Sequence, residues 1–343
     1  MTVPTRPDAV LSVRELTLDL AGADRQIGLV QGVSFDVHAD RIVALIGESG
    51  CGKTMTAMAV LGLLPAGIRV VGGVVSFGGR DLVSLSDREM RSVRGGQIGM
   101  IFQDPMSSLN PTMTVGDQII ETRRLHLGES ASAARRHAVQ LLDQVGIPYP
   151  AKRVKAFPFE LSGGMQQRVM IAMAIACDPQ LLIADEPTTA LDVTIQAEIL
   201  ELLVEVQRSR GMGILLVTHD LGVVADYADD VVVMYAGHVV EHSRVDDVFA
   251  APQHPYTAAL LGAIPQGAEP RTPLLTIAGR VPPAGQFVPG CRFQTRCPHA
   301  REDICRDPAI SAAEVRPGHL SQCLRVQRGE LVVTNPKKVA TNA

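Results

Sequence analysis

Apolar and polar residues alternate from Leu11 to Leu20 (LSVRELTLDL) and again from Val33 to Ala39 (VSFDVHA), the period-two pattern of half-buried strands. Arg41 to Gly47 (RIVALIG) is instead a nearly continuous apolar run ending at glycine, which predicts a fully buried strand of a parallel sheet. A helix is expected directly behind it over TMTAMAVLGLL, ended by Pro65 and Gly67. Further along, Ala134, Ala138, Leu141, Leu142 and Val145 fall at helical spacing before Gly146. LLIAD (181–185) and GILLVTHD (213–220) are again buried-strand runs, each leading into a helical segment. Strand and helix in that alternation predict a parallel sheet with crossover helices, an α/β fold.

The pattern also divides the chain. A core over 8–250 is expected, with a helical insert at about 105–165. Beyond Pro252 the periodicity fades: Pro265, Pro270, Pro273, Pro282, Pro283 and Pro289 read as an irregular, wrapped segment. An extension is expected over 251–330, and a disordered tail over 331–343.

The chain has 343 residues, 46% of them hydrophobic, so a sizeable core is available. Aromatics are 3% and tryptophan is absent, so that core is aliphatic. A net charge of −4 gives no electrostatic case for nucleic acid. No run of about 18 apolar residues occurs and no signal-peptide pattern opens the chain, which predicts a cytosolic protein. Its six cysteines are then expected as thiols or metal ligands rather than disulfides. Cys51 and Cys177 read as a loop filler and a core residue.

The sharpest chemical signal is GESGCGKT, Gly47 to Thr54, placed between a buried strand and a helix. Gly47, Gly50 and Gly52 let backbone amides turn inward around phosphate oxygens, with Ser49 and Cys51 between them, and the helix N-terminus adds its dipole. Lys53 is placed for the β- and γ-phosphates of a nucleotide and Thr54 for Mg²⁺. A glycine-rich turn with a chance lysine would not bring both flanking elements.

LLIADEP supplies the second site. A buried strand delivers Asp185 to its C-terminal end, where ligands sit in open α/β sheets, and there Asp185 can hold Mg²⁺. Glu186 follows, positioned to polarise an attacking water. Two adjacent acids alone would read as a solvated turn; the strand ahead of them argues otherwise.

A third motif, LSGGMQQ over 161–167, narrows the class. With it, the sequence resembles the ATP-binding cassette (ABC) family of P-loop NTPases over about 11–245. The resemblance implies that Ser162, Gly163, Gly164 and Gln166, with Asp192 of TALD, serve a nucleotide held by the other subunit of a head-to-tail pair. It also implies that Gln103 of IFQDP couples Mg²⁺ and water to the helical insert, and that His219 of LLVTHD reaches the γ-phosphate. One departure is visible: the segment that in the family carries an aromatic residue against adenine, DRQIGLVQGV, has none, and Ile27 stands near that place.

QDPMSSLNP (103–111), HPYTAALLGAIP (254–265) and GCRFQTRCPHAREDIC resemble the ATP-binding subunits of dipeptide, oligopeptide and nickel uptake systems. That resemblance implies a peripheral ATPase on the cytoplasmic face of the membrane. Its partners would be a second, paralogous ATPase subunit, two transmembrane permease subunits and an extracytoplasmic substrate-binding protein. A nickel or other solute remains the alternative cargo. The rival from another class is a soluble ABC ATPase of DNA repair or translation, which the single cassette and the absent basic patch disfavour.

Cys291, Cys297, Cys305 and Cys323 are separated by 5, 7 and 17 residues. Four such thiols suit tetrahedral Zn²⁺ or an iron–sulfur cluster, and the lack of a C-x₂-C pair leans toward the cluster. The uptake-family resemblance implies [4Fe–4S]. The bland alternative is a set of reduced, half-buried thiols in a structural extension.

Overall fold

The structure, a computed structural model, describes residues 9–21, 26–104, 108–189, 191–264 and 276–336. Residues 105–107 of QDPMSSLNP, and Pro265, Pro270 and Pro273 of the proline-rich segment, lie outside them.

Two sheets organise the chain. Strands β1 (Ala9–Ala21), β2 (Gln26–His38), β4 (Ile68–Phe77) and β5 (Arg80–Asp81) form an antiparallel sheet in the order β2-β1-β4-β5. The second sheet has eight strands. Its parallel part runs β6 (Ile98–Ile101), β7 (Leu181–Asp185), β8 (Gly213–Thr218), β3 (Ile42–Ile46) and β9 (Asp230–Tyr235). An antiparallel part continues from β9 through β10 (His238–Arg244), β12 (His319–Ser321) and β11 (Ala313–Arg316).

Side-chain alternation explains how one sheet serves two cores. In β7, Leu181 and Ile183 join the cluster under the antiparallel sheet, while Leu182 and Ala184 join the cluster under the helices. In β8, Leu215 and Val217 face the first cluster and Ile214 and Leu216 the second. Strands buried on both faces must read as unbroken apolar runs, as these do.

The helices between β6 and β7 are α3 (Val115–Leu127), α4 (Ala131–Gln144), α5 (Pro150–Arg153) and α6 (Gly163–Ala174), preceded in the chain by α1 (Lys53–Val60) and α2 (Asp87–Val93). In α4 the buried residues are Ala134, Ala138, Leu141 and Leu142, the periodic set, and Gly146 at φ 76° follows its end. Helices α7 (Val193–Arg210) and α8 (Leu221–Tyr227) follow β7 and β8.

Helix α1 is shorter than its sequence suggests. It stops at Val60 because Gly62 takes φ 60°, the Leu63 amide bonds back to Met58 O at 2.9 Å and the Gly62 amide to Ala59 O at 3.1 Å. This αL glycine closes the helix before Pro65 can.

The C-terminal region packs onto the core. After α9 (Val245–Ala250) and α10 (Pro255–Gly262), the chain wraps through α11 (Glu302–Cys305), adds β11 and β12 to the edge of the eight-stranded sheet, and ends its regular structure at α12 (Leu324–Gln327). Its aromatics build a third core: Tyr256 and Phe293 lie against Tyr235 at ring separations of 4.7 and 5.2 Å. Of the tail expected to be disordered, residues 331–336 are described, and there Asn335 Nδ2 donates to Phe249 O at 2.7 Å.

Candidate functional site

The glycine-rich loop leaves β3 and enters α1. Its geometry requires glycine at Gly47 and Gly52, with φ of 147° and 105°. A Cβ on Gly47 would meet the Met234 carbonyl, and one on Gly52 would meet Val30 Cγ2. No side chain caps α1, so its first-turn amides face the loop's hollow without a protein acceptor from a capping residue. Lys53 is 5% exposed, and its Nζ donates to Gly47 O at 2.7 Å and to Glu48 O at 3.3 Å. The ammonium is thus held over the loop, where a phosphate group would meet it. Cys51 is buried, and that burial pushes its thiol pKa up, so it is an inert filler.

Asp185 ends β7 beside the loop, 2% exposed. Thr54 Oγ1 donates to its Oδ1 at 3.2 Å. Burial raises the Asp185 pKa, with the Thr54 hydrogen bond opposing it. A buried carboxylate next to a hydroxyl is an oxygen pair suited to a hard cation such as Mg²⁺.

Glu186 adopts φ 46°, rare for a residue with a side chain, and its amide donates to Val217 O at 2.9 Å. Three side chains converge on its carboxylate. Oε2 accepts from Gln103 Nε2 at 3.0 Å and from Thr189 Oγ1 at 3.0 Å, and Oε1 accepts from His219 Nδ1 at 3.3 Å. Backbone strain held by such a network is common at functional positions. A cavity of about 390 Å³ joins these groups to the loop, lined among others by Glu48, Ser49, Gln103, Glu186 and His219.

The sequence pattern missed Thr189, Tyr256 and Arg296. Tyr256 hydroxyl accepts from the Glu48 amide at 2.9 Å, and Arg296 binds the Glu48 carboxylate. The HPYT stretch was a visible signal for Tyr256; nothing local marks Arg296.

Ser162, Gly163, Gly164, Gln166 and Asp192 line no part of that cavity. Ser162 is the exposed N-cap of α6, its Oγ accepting from Met165 N at 3.4 Å. Asp192 is the exposed N-cap of α7. Gln166 turns inward, donating to Pro158 O at 2.9 Å and Leu161 O at 3.1 Å, so it braces the loop from behind. Ile27 lies in β2 and lines a separate cavity of about 400 Å³ with Gln31, His238, Phe287 and Arg292.

All six cysteines are free thiols. Burial pushes the Cys291 thiol up to about 12, with the charges of Cys305, Cys323 and Cys297 adding to it. Cys297 is pushed up to about 11 by burial, with Cys323 and Cys305 adding. Yet no group of three or more His, Cys, Asp or Glu among the described residues could hold a metal ion. The expected metal site, whether Zn²⁺ or cluster, therefore has no preformed cage among the described residues.

Residues 30–189 match the ABC transporter family and residues 240–305 the oligopeptide/dipeptide transporter C-terminal region. The probable peptide ABC transporter ATP-binding protein y4tR of Sinorhizobium fredii is 47% identical over 93% of this chain and 96% of its own length. The chain belongs to the ABC transporter ATP-binding proteins. The dipeptide transport ATP-binding protein DppD of Bacillus subtilis is 48% identical over 95% of this ABC protein and 98% of itself. The oligopeptide transport ATP-binding protein OppD of Salmonella typhimurium is 46% identical over 94% and 95%. Among solved structures, cbiO1 of Clostridium perfringens matches with TM-score 0.61 and 28% identity, covering 71% of this chain and 91% of its own. The cassette MJ0796, solved as a dimer with ADP and Pi, matches at TM-score 0.62 and 25% identity, covering 68% and 98%. Among the described residues of this ABC protein no helix is long and apolar enough to cross a membrane.

Proposed function

We propose that the chain is the ATP-hydrolysing subunit of an importer of di- or oligopeptides, acting peripherally on the cytoplasmic face of the membrane. Its cargo reading rests on the peptide transport for which its relatives are named and on the matching C-terminal region. The observation behind the hydrolytic reading is the convergence of Gln103, Thr189 and His219 on Glu186 at the mouth of the glycine-rich loop.

In this reading the amides of Gly47, Ser49, Gly50, Cys51 and Gly52 and the Lys53 ammonium bind the triphosphate of ATP. Thr54, Asp185 and Gln103 would hold Mg²⁺, which supplies charge neutralisation on the phosphates. Glu186 orients the attacking water and takes its proton; Gln103 and His219 fix the carboxylate in place. The base lies against Ile27, in the cavity it shares with Phe287 and Arg292. Ser162 and Gly163, exposed, and Gly164, half-buried, none of which lines the chain's own cavity, serve the nucleotide of a second ATPase subunit; Gln166 supports them and Asp192 flanks them. Two permease subunits and a substrate-binding protein complete the transporter. At Cys291, Cys297, Cys305 and Cys323, the chemistry of a four-thiol donor set supports a [4Fe–4S] cluster, for which the chain would have to gather the thiols on loading.

Reconstitution with two permease subunits and a substrate-binding protein tests the cargo. Dipeptide or oligopeptide should stimulate ATP hydrolysis; stimulation by nickel ion alone would assign the alternative. Anaerobic purification tests the cluster: brown protein with about four iron per chain supports it, one zinc per chain replaces it, and metal-free protein leaves only thiols.

A further inference from the structure

Glu48 is an acidic residue inside a loop built for a polyanion, and it is held at three points. Its amide donates to Tyr256 hydroxyl at 2.9 Å, from α10. Its carbonyl accepts from Lys53 Nζ at 3.3 Å and from Cys51 N at 3.2 Å, within the loop. Its carboxylate is gripped by Arg296 through two parallel bonds, Nη1 to Oε2 at 2.7 Å and Nη2 to Oε1 at 3.0 Å. Arg296 lies in the C-terminal extension, next to Cys297 in sequence.

Every nitrogen of that guanidinium is engaged. Nε donates to Ala278 O at 2.7 Å, Nη2 also to Ile277 O at 3.4 Å, and Nη1 also to Tyr235 hydroxyl at 3.3 Å. Its carbon stands 5.7 Å from the Tyr235 ring centre and 6.0 Å from that of Phe293. The Arg296 side chain is 5% exposed. So complete a set of partners leaves the fork one orientation, and that orientation fixes the loop's second residue.

The geometry points to Arg296 as a positioning residue for nucleotide binding: the extension clamps the phosphate loop and cancels the negative charge that the loop itself carries, Glu48, which would repel a triphosphate. The inference rests on the nucleotide reading of the loop but adds a role for the extension. The same four-cysteine segment that carries Arg296 is thereby mechanically joined to the ATP site.

The test is nucleotide affinity, measured by titration calorimetry on the full chain with ATP and with ADP, alongside thermal unfolding. Arg296→Gln should weaken ATP binding about tenfold, the order expected when a charged partner is left unsatisfied, and should weaken ADP less because one fewer phosphate meets Glu48. Arg296→Lys, which keeps charge without the fork, should fall between. Glu48→Gln combined with Arg296→Gln should recover most of the lost affinity. Unchanged ATP affinity in folded Arg296→Gln, or a loss that the double variant does not recover, overturns the clamp. Lys53→Ala in the same assay separates the premises: if it binds ATP as the parent does, the nucleotide reading of the loop fails first. If Arg296→Gln does not fold, the fork-against-charge comparison is carried by Arg296→Lys, where an ATP affinity equal to the parent's overturns the inference.

Discussion

Glu241 Oε1 accepts from His319 Nε2 at 2.7 Å, with the two side chains 0% and 2% exposed. The same oxygen accepts from the Gln253 amide at 2.6 Å, and Ser321 Oγ donates to Gln253 O at 2.8 Å. Glu241 faces Ser321 in the β10–β12 register, so this buried knot fastens the last two strands to the sheet. Glu241→Ala would leave the His319 nitrogen and the Gln253 amide buried without an acceptor, at about 1–3 kcal/mol each. Urea unfolding should show that loss, and limited proteolysis should release the segment after residue 300 first. Glu241→Gln keeps an acceptor and should lose much less. Equal stability of the alanine variant and the parent would mean the knot is not what holds the strands.

The hydrolytic assignment is tested at Glu186. Glu186→Gln keeps the shape of the side chain and a site for Thr189 to donate to, but removes the base. ATP binding should survive while turnover falls roughly 10²–10⁴-fold. His219→Ala should lower turnover less than Glu186→Gln, since His219 makes only the 3.3 Å contact to Oε1. Near-parental ATPase activity of Glu186→Gln would remove it from the role of base.

Pairing is tested at Ser162. Its hydroxyl caps α6 on an exposed corner, and it lines no part of the cavity beside the glycine-rich loop. Ser162→Arg should therefore leave ATP affinity of the isolated chain intact and cripple hydrolysis in the assembled transporter. If isolated chain and complex hydrolyse ATP equally fast, and Ser162→Arg changes neither, the site does not need a second subunit.

The α/β fold and the glycine-rich loop between strand and helix were legible because they are written locally. Five consecutive buried residues in β3 and in β7, and a glycine-lysine loop between strand and helix, leave few alternatives. The end of α1 was misread because apolar spacing continues past Gly62, whereas the backbone obeys that glycine. The docking of the C-terminal region was invisible for a different reason. Strands β11 and β12 hold only four and three residues, too few to show a period. Arg296 and Glu48 stand 248 positions apart, and no pattern in either neighbourhood names the other. Chemistry carried by one segment reads from sequence; chemistry made by folding two segments together does not.

His254 gives the stability of the chain a predictable dependence on pH. It caps α10, its Nδ1 accepting from Tyr256 N at 3.1 Å, and it is 1% exposed with its ring 6.1 Å from that of Phe293. Burial pushes its pKa from 6.5 down to about 3. The folded state thus keeps His254 neutral where the unfolded chain would already be protonated. Its contribution is fully present above pH 6.5 and is lost progressively as the pH falls toward 3, because the unfolded state then binds a proton that the native state refuses. The slope is up to about 1.4 kcal/mol per pH unit, so roughly 2 kcal/mol should disappear between pH 6.5 and 5. His254→Asn offers the same acceptor to the Tyr256 amide without a titrating ring. Its stability should be lower at neutral pH, since it fills the site less well, but its decline between pH 6.5 and 5 should be shallower by about that amount. Urea unfolding of both chains at the two pH values measures the difference; parallel declines would show that His254 is protonated in the fold as readily as in the open chain.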